Sequence, residues 1–312
     1  MSNTTDSLRH KLASAGDLQG VVRTMKALAA SSIGQYEQSV RALADYYRTV
    51  ELGLVACFRD DGIAASAMQP RPGPGQHTVE AVVFGSDQGM VGQFNDVVVE
   101  AVVTLIAKRA IRPRIWAVGE RVRARLADAG LLPVGVFAVP SSVRGIGPLI
   151  AQILVATNPS ADTASQLLLC YNRPETGAGY TAVSQNLLPL GEEWFRKLAT
   201  MPWPSPSLPE VMGTGTATVR ALIRQYLFIS MFRACAESLA SENASRLAAM
   251  ERADRNIDQL LTDLQGSFHR LRQSDIDEEL FDVIAGFEAL QPTPRVAGPA
   301  ARSPPGAVST SS

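Results

Sequence analysis

The chain has 312 residues, 46% of them hydrophobic and only 6% aromatic, and its 29 basic and 30 acidic side chains leave a formal net charge of −1. That is enough apolar material for one large or two modest domains, and it excludes the surplus of positive charge on which nucleic-acid affinity rests. The three cysteines, Cys57, Cys170 and Cys235, are far apart and form no CxxC, so they read as buried free thiols. His10, His77 and His269 are equally scattered, so neither a metal site nor a His-based catalytic constellation is expected. The N-terminal MSNTTDSLRHK has no apolar signal region and no stretch is long and apolar enough to span a bilayer, so a soluble protein is expected.

In chain order, residues 1–62 form an N-terminal coiled-coil helix. Asp6 to about Phe58 is proline-free, and apolar residues return every three or four positions: Leu8, Leu12, Ala15, Leu18, Val22, Met25, Ala29, Ile33, Tyr36, Val40, Leu43, Tyr47, Val50 and Leu54. That is a helix with one apolar seam, and Asp6 or Ser7 is placed to cap it. Gly16, Gly20 and Gly34 each weaken it by up to ~1 kcal/mol relative to alanine, so a partner has to hold it.

Residues 63–77 form a loop around Gln69-Pro-Arg-Pro-Gly-Pro-Gly-Gln76. An α/β domain then occupies 78–190. Buried strands are expected at Thr78–Phe84, Arg114–Val118 and Pro133–Val139, alternating with helices from about Asn95 to Ala110, Glu120 to Ala129 and Gly147 to Thr157. This alternation predicts βαβ units and a mainly parallel, Rossmann-like sheet. Gln166–Tyr171 and Tyr180–Leu188, split by a Gly/Pro loop, read as a closing β-hairpin.

A linker at 191–215, dense in Pro, Ser, Thr and Gly from Pro202 onward, precedes a C-terminal coiled-coil helix at 216–290. Its seam runs Val219, Leu222, Tyr226, Ile229, Ala236, Ala240, Ala244, Leu247, Met250, Ile257, Leu261, Leu264, Phe268 and Leu271. At ~1.5 Å per residue such a helix is about 110 Å long, too long for one globular core. A chain that leaves one helix, makes a domain and returns must run its two helices antiparallel. The second helix outlasts the first by roughly 30 Å, and that end carries Ile276, Leu280, Phe281, Ile284, Phe287 and Leu290. An apolar tip without an intrachain partner argues for an external socket. The tail at 291–312, rich in Pro, Ala, Ser and Gly, is expected to be disordered.

Four segments in this order resemble one family. Thr24-Met-Lys-Ala-Leu-Ala-Ala-Ser31 resembles its (A/T)MKMVAAS segment, Ser86-Asp-Gln-Gly-Met-Val-Gly-Gln-Phe-Asn95 its SDRGLCGGFN, Glu237 to Met250 its ESLASEHAARMxAM, and Ile276 to Ala289 its ITQELxEIVSGAxA. The family is the γ subunit of F-type ATP synthases. Gln88, Gln93, Asp277 and Phe287 depart from its pattern and suggest a divergent branch.

The resemblance implies a central rotor shaft that carries torque between an ion-driven membrane c-ring and a catalytic ring of alternating α and β subunits. It implies ring contacts at Met25, Lys26, Glu242, Asn243, Arg246, Ile276, Glu279, Leu280 and Phe287. It implies a foot at Val211, Met212, Thr214 and Thr216 that docks on the ε subunit and the c-ring. No cofactor, metal or catalytic residue is implied for this chain, and its expected location is peripheral, on the cytoplasmic face of the bacterial plasma membrane. The coupled ion, H⁺ or Na⁺, is chosen in the c-ring, and the direction of coupling is equally open.

The residues alone support blander readings beside these. Lys26, a lone lysine on a helix, is ordinarily solvated. Glu242, Asn243 and Arg246 are register-setting polar positions in a coiled coil, and Asp277, Glu278, Glu279 and Asp282 are a solvated helix face. The Gly85–Gly92 turn has no G-x-G-x-x-G and no lysine, so it reads as a tight turn packing the domain on the shaft rather than a phosphate cradle. The alternative function is a coiled-coil scaffold or adaptor whose α/β domain binds a ligand.

Overall fold

The computed structural model describes residues 4–59, 79–157, 166–175, 179–207, 209–211 and 215–290. The loop expected at 63–77, the tail at 291–312 and the foot residues Met212 and Thr214 lie outside them. The elements are α1 (Thr5–Phe58), β1 (Val79–Phe84), α2 (Phe94–Arg109), β2 (Arg114–Val118), α3 (Glu120–Asp128), β3 (Gly135–Phe137), α4 (Val143–Thr157), β4 (Gln166–Pro174), β5 (Tyr180–Leu188), α5 (Glu192–Ala199) and α6 (Gly215–Leu290). The chain divides into two compact units, Met1–Gly16 with Asp258–Ser312, and Asp17–Ile257.

In the first unit the Ser7 amide donates to Thr4 Oγ1 at 3.3 Å, so the cap is Thr4 rather than Asp6 or Ser7. Thr5 Oγ1 donates to Asp275 at 2.8 Å, and the Arg9 guanidinium lies 5.9 Å from the Phe268 ring centre. Rising numbers on α1 meet falling numbers on α6, so the two helices are antiparallel. Every residue from Ile276 to Phe287 is exposed, including Phe281 at 69% and Phe287 at 70%.

The second unit holds the sheet. Its order is β3-β2-β1-β4-β5, parallel from β3 through β4 and antiparallel between β4 and β5. Alternation along each strand sends side chains to opposite faces. Ala81, Val83, Ile115, Ala117, Leu168 and Cys170 pack on one face with Val98, Val99 and Val102 of α2 and Val122 and Leu126 of α3. Val82, Phe84, Leu167, Leu169 and Tyr171 pack on the other with α4, with Val50 and Leu54 of α1 and with Ile223, Leu227 and Ala234 of α6. Burial on both faces is why these strands read as continuous apolar runs.

Three elements depart from the expectation. The strand expected at Pro133–Val139 is only Gly135–Phe137; at Gly135 a Cβ would meet the Trp116 ring at 2.5 Å, so only glycine lets β3 close on β2. The helix expected from Gly147 begins at Val143 and contains Pro148. The stretch 191–215 contains α5, whose Trp194 packs edge-on to Tyr226 at 5.1 Å and to Phe58 at 6.4 Å.

The α1 seam follows the expectation at every position but Leu18. Leu8, Ala15, Val22, Ala29, Tyr36, Val50 and Cys57 are buried and Leu43 is half-buried, so the strong positions recur every seventh residue. The second row lies four residues on, at Leu12, Gln19, Lys26, Ile33, Val40, Tyr47 and Leu54. Leu18, three residues on, was expected in the seam and is instead 54% exposed. Gln19 takes its place and reaches Asp254 at 3.4 Å. Every seam residue expected on α6 is buried or half-buried. All three cysteines are buried free thiols; burial pushes Cys170 and Cys235 above the ordinary thiol range.

Candidate functional site: a polar stretch of α6 beneath the β1 turn

Between Glu237 and Arg246 the seam of α6 turns polar without leaving the core. Glu237, Ser238, Ser241, Glu242, Asn243 and Ser245 are all buried, so each needs a partner. The Glu237 carboxylate accepts from Arg173 Nε at 3.1 Å and Arg233 Nε at 2.7 Å. Ser241 Oγ lies 3.0 Å from the Asn172 carbonyl and 2.9 Å from that of Glu237. Asn172 in turn donates to the Phe94 carbonyl at 2.7 Å, and Ser245 Oγ donates to the Val91 carbonyl. These contacts fix α6 to β4 and to the turn after β1.

The turn is held from within. The Ser86 amide donates to Asn95 Oδ1 at 3.0 Å and Asn95 Nδ2 to Ser86 Oγ at 2.9 Å. The Asp87 carboxylate accepts from the Glu120 amide at 2.9 Å and the Val139 amide at 2.8 Å. The N-terminus of α3, where a phosphate would find amide donors, is thus served by the chain's own carboxylate. Met90 (φ 60°) and Gly92 (φ 57°) carry the left-handed bend, and a Cβ on Gly92 would meet Ser245 Oγ at 3.6 Å. The turn packs on α6, as its sequence suggested.

Glu242, Asn243 and Arg246 come together. Arg246 donates to Glu242 at 2.6 Å and to Asn243 Oδ1 at 3.3 Å, while Asn243 Nδ2 donates to the Leu239 carbonyl at 2.8 Å. With Ser32, Tyr36, Asp87 and Gln88 they line a cavity of about 180 Å³. Burial pushes the Glu242 carboxyl above the usual carboxylate range, with the Arg246 charge pulling the other way. Glu242 Oε2 and Arg246 Nε have no hydrogen-bond partner among the described residues.

On α1, Met25 is half-buried. Lys26 is not simply solvated: its side chain is 39% exposed and its Nζ lies 3.9 Å from Glu251, next to the Arg23–Asp254 pair at 3.2 Å. Ile276, Glu279, Leu280 and Phe287 belong to the other unit and are exposed, as are Asp277, Glu278 and Asp282. Val211 is half-buried against the core and Thr216 is exposed. Sequence reasoning passed over Ser241, Ser245 and Glu237; the signal was small or acidic residues at helical spacing within an alanine-rich seam. Among the described residues no group of His, Cys, Asp and Glu could hold a metal, and no helix is long and apolar enough to cross a membrane.

A family model described as ATP synthase matches residues 4–290. The ATP synthase gamma chain of Granulibacter bethesdensis is 28% identical over 304 residues, covering 91% of this chain and 98% of that one; the gamma chain of Paramagnetospirillum magneticum is 27% identical over 296 residues, with the same coverage. Among solved structures, a chain of the Euglena gracilis mitochondrial ATP synthase, from a structure of its OSCP, F1 and c-ring, aligns with a TM-score of 0.60 at 20% identity, covering 94% of this chain and 98% of that one. Paired long helices around a mainly parallel sheet, four matching segments in order and full-length coverage of these relatives converge: the chain belongs to the ATP synthase gamma-chain family.

Proposed function

We infer that this chain is the central-stalk rotor subunit of an F-type ATP synthase, carrying torque between an ion-driven c-ring and a catalytic ring of α and β subunits. The observation that carries the reading is the exposed apolar stretch from Ile276 to Phe287 in a chain of this family. Exposing such a stretch in water is unfavourable unless a partner covers it. Ile276, Glu279, Leu280 and Phe287 would turn inside the ring, with Met25 and Lys26 facing it further along. Glu242, Asn243 and Arg246 are mostly buried and hydrogen-bond to one another and to Leu239 within α6, so they offer the ring little surface. Val211, Met212, Thr214 and Thr216 would form the foot toward the ε subunit and the c-ring.

The physical logic is population shift: an asymmetric shaft touches otherwise identical sites differently, so each is biased to a different affinity. The chain itself does no bond chemistry and holds no cofactor or metal. It would sit peripherally on the cytoplasmic face of the bacterial plasma membrane, bound through partners rather than inserted.

Purification of the tagged chain from its own membranes tests the reading. Recovery of α and β subunits in excess over this chain, with ATPase activity in the eluate, is the expected result. A chain recovered without ring subunits and without ATPase would overturn it in favour of a scaffold.

A further inference from the structure

A second cavity, of about 420 Å³, opens beside the Glu237 end of the polar stretch beneath the β1 turn. It is bounded by Tyr47 of α1, Ser230 and Arg233 of α6, Tyr171 and Arg173 of β4, and Val183 to Asn186 of β5. Four consecutive residues of a strand cannot share one face, because side chains alternate. The cavity therefore runs along the edge of β5. Among the described residues β5 pairs only with β4, and alternate residues of such an edge strand turn their amide N–H groups outward.

The charge balance is one-sided. Arg173 and Arg233 share a single carboxylate, Glu237, whose two oxygens are both engaged. Two cations on one anion leave a local charge of +1, and no acidic residue is among those that line the cavity. Glu51, the other carboxylate whose charge reaches Tyr47, is paired with Lys197 at 3.3 Å. Each guanidinium carries five N–H donors in a planar fork. Arg173 uses its Nε on Glu237 and one terminal nitrogen on the Tyr171 hydroxyl at 2.7 Å, and Arg233 uses its Nε on Glu237. Their side chains are 43% and 53% exposed. Gln185, opposite Leu169 on the same face as Tyr171, adds a neutral amide donor. Burial raises the Tyr47 and Tyr171 hydroxyls above the ordinary phenol range.

We propose that the groove between the edge of β5 and the Arg173–Glu237–Arg233 cluster is an oxyanion-binding site, taking a small phosphate- or carboxylate-bearing molecule. Fork-shaped guanidinium donors match both groups, and outward strand amides would complete the cradle. The site shares no lining residue with the cavity at Glu242 and Arg246, so it stands or falls independently of the rotor reading.

The test is calorimetric titration of the full chain in a low-salt chloride buffer, with inorganic phosphate in one arm and succinate in the other. Saturable binding in either arm is expected below ~10 mM, weakened about tenfold or more by Arg233→Gln and unchanged by Arg125→Gln, which alters an arginine of α3 on the opposite face of the sheet. Binding of phosphate alone or of succinate alone identifies the source of the oxyanion. Arg173→Gln should act like Arg233→Gln; if circular dichroism shows that it unfolds, the half-exposed Arg233 decides. No saturable heat in either arm, or binding undiminished in a folded Arg233→Gln chain, would overturn the proposal.

Discussion

Two stretches of the same helix invert each other. From Glu237 to Ser245, α6 buries polar side chains; from Ile276 to Phe287 it exposes large apolar ones, Ile276, Leu280, Phe281, Val283, Ile284 and Phe287, among its acidic residues. The usual rule would exchange them. In the first stretch buried polar residues reach named groups on other elements, Glu237 on Arg173, Ser241 on Asn172 and Ser245 on Val91. Such contacts fix register rather than add much net energy. In the second stretch the apolar residues are exposed and have no such neighbour among the described residues. One stretch fixes the helix to its own sheet, and the other stays exposed.

The sharpest way to break this contrast is to remove the apolar end. Phe281→Ser, Ile284→Ser and Phe287→Ser together should leave the denaturation midpoint of the isolated chain nearly unchanged, because exposed substitutions cost about 0.5 kcal/mol or less. In the complex, each side chain buried by a partner should cost about 1.5–3 kcal/mol, read as loss of this chain from purified ATPase. Recovery in full amount would mean that the end is merely solvated.

Glu237→Ala should do the opposite. It leaves Arg173 and Arg233 without their shared carboxylate and should lower stability by about 2 kcal/mol, less than a fully buried pair would lose because both arginines are half-exposed. Urea denaturation measures it, and a change within 0.5 kcal/mol of zero would show the cluster to be passive.

Gly34→Ala sharpens the comparison from the partner helix. A Cβ there meets nothing within 4 Å, so the substitution should add about 0.5–1 kcal/mol of stability. A loss would reveal a conformational need for glycine that the packing does not show.

The smallest effect is in pH. The Glu242 carboxyl is raised in the folded state, so the native chain binds its proton more readily than the unfolded one. Stability from this group therefore falls as pH rises from the ordinary value of about 4.3 through the raised folded value. The difference in denaturation midpoint between the parent chain and Glu242→Gln should shift in the parent's favour on acidification through that window. A pH-independent difference would show that Arg246 cancels the burial.

Much of this was legible beforehand. The sheet strands announced themselves as apolar runs because both faces are covered, and the long helices by their three-and-four spacing. The exposed end followed from comparing helix lengths. What stayed hidden was set by register. The seven-residue rows of α1 put Gln19 in step with Leu12 and Lys26, but an apolar Leu18 beside a polar Gln19 masks that register, and the partner that satisfies Gln19, Asp254, is more than two hundred positions away. Short α5 was lost in a Pro-rich stretch although Trp194 and Leu198 stand one turn apart. Arg173, Glu237 and Arg233 lie on two elements that only the fold brings together, so their cluster left no sequence pattern to find.

The seven-residue recurrence from Val22 through Ala29 and Tyr36 to Val50 and Cys57 has a mechanical consequence. A straight helix drifts ~20° per seven residues, so a seam kept at sevens makes paired helices wind left-handed. A wound pair has a preferred sense of twist. Load in the sense of the winding presses Val22, Ala29 and Tyr36 harder into their partner, while load in the other sense peels the seam open. Torque about the axis of such a pair therefore acts either with that winding or against it.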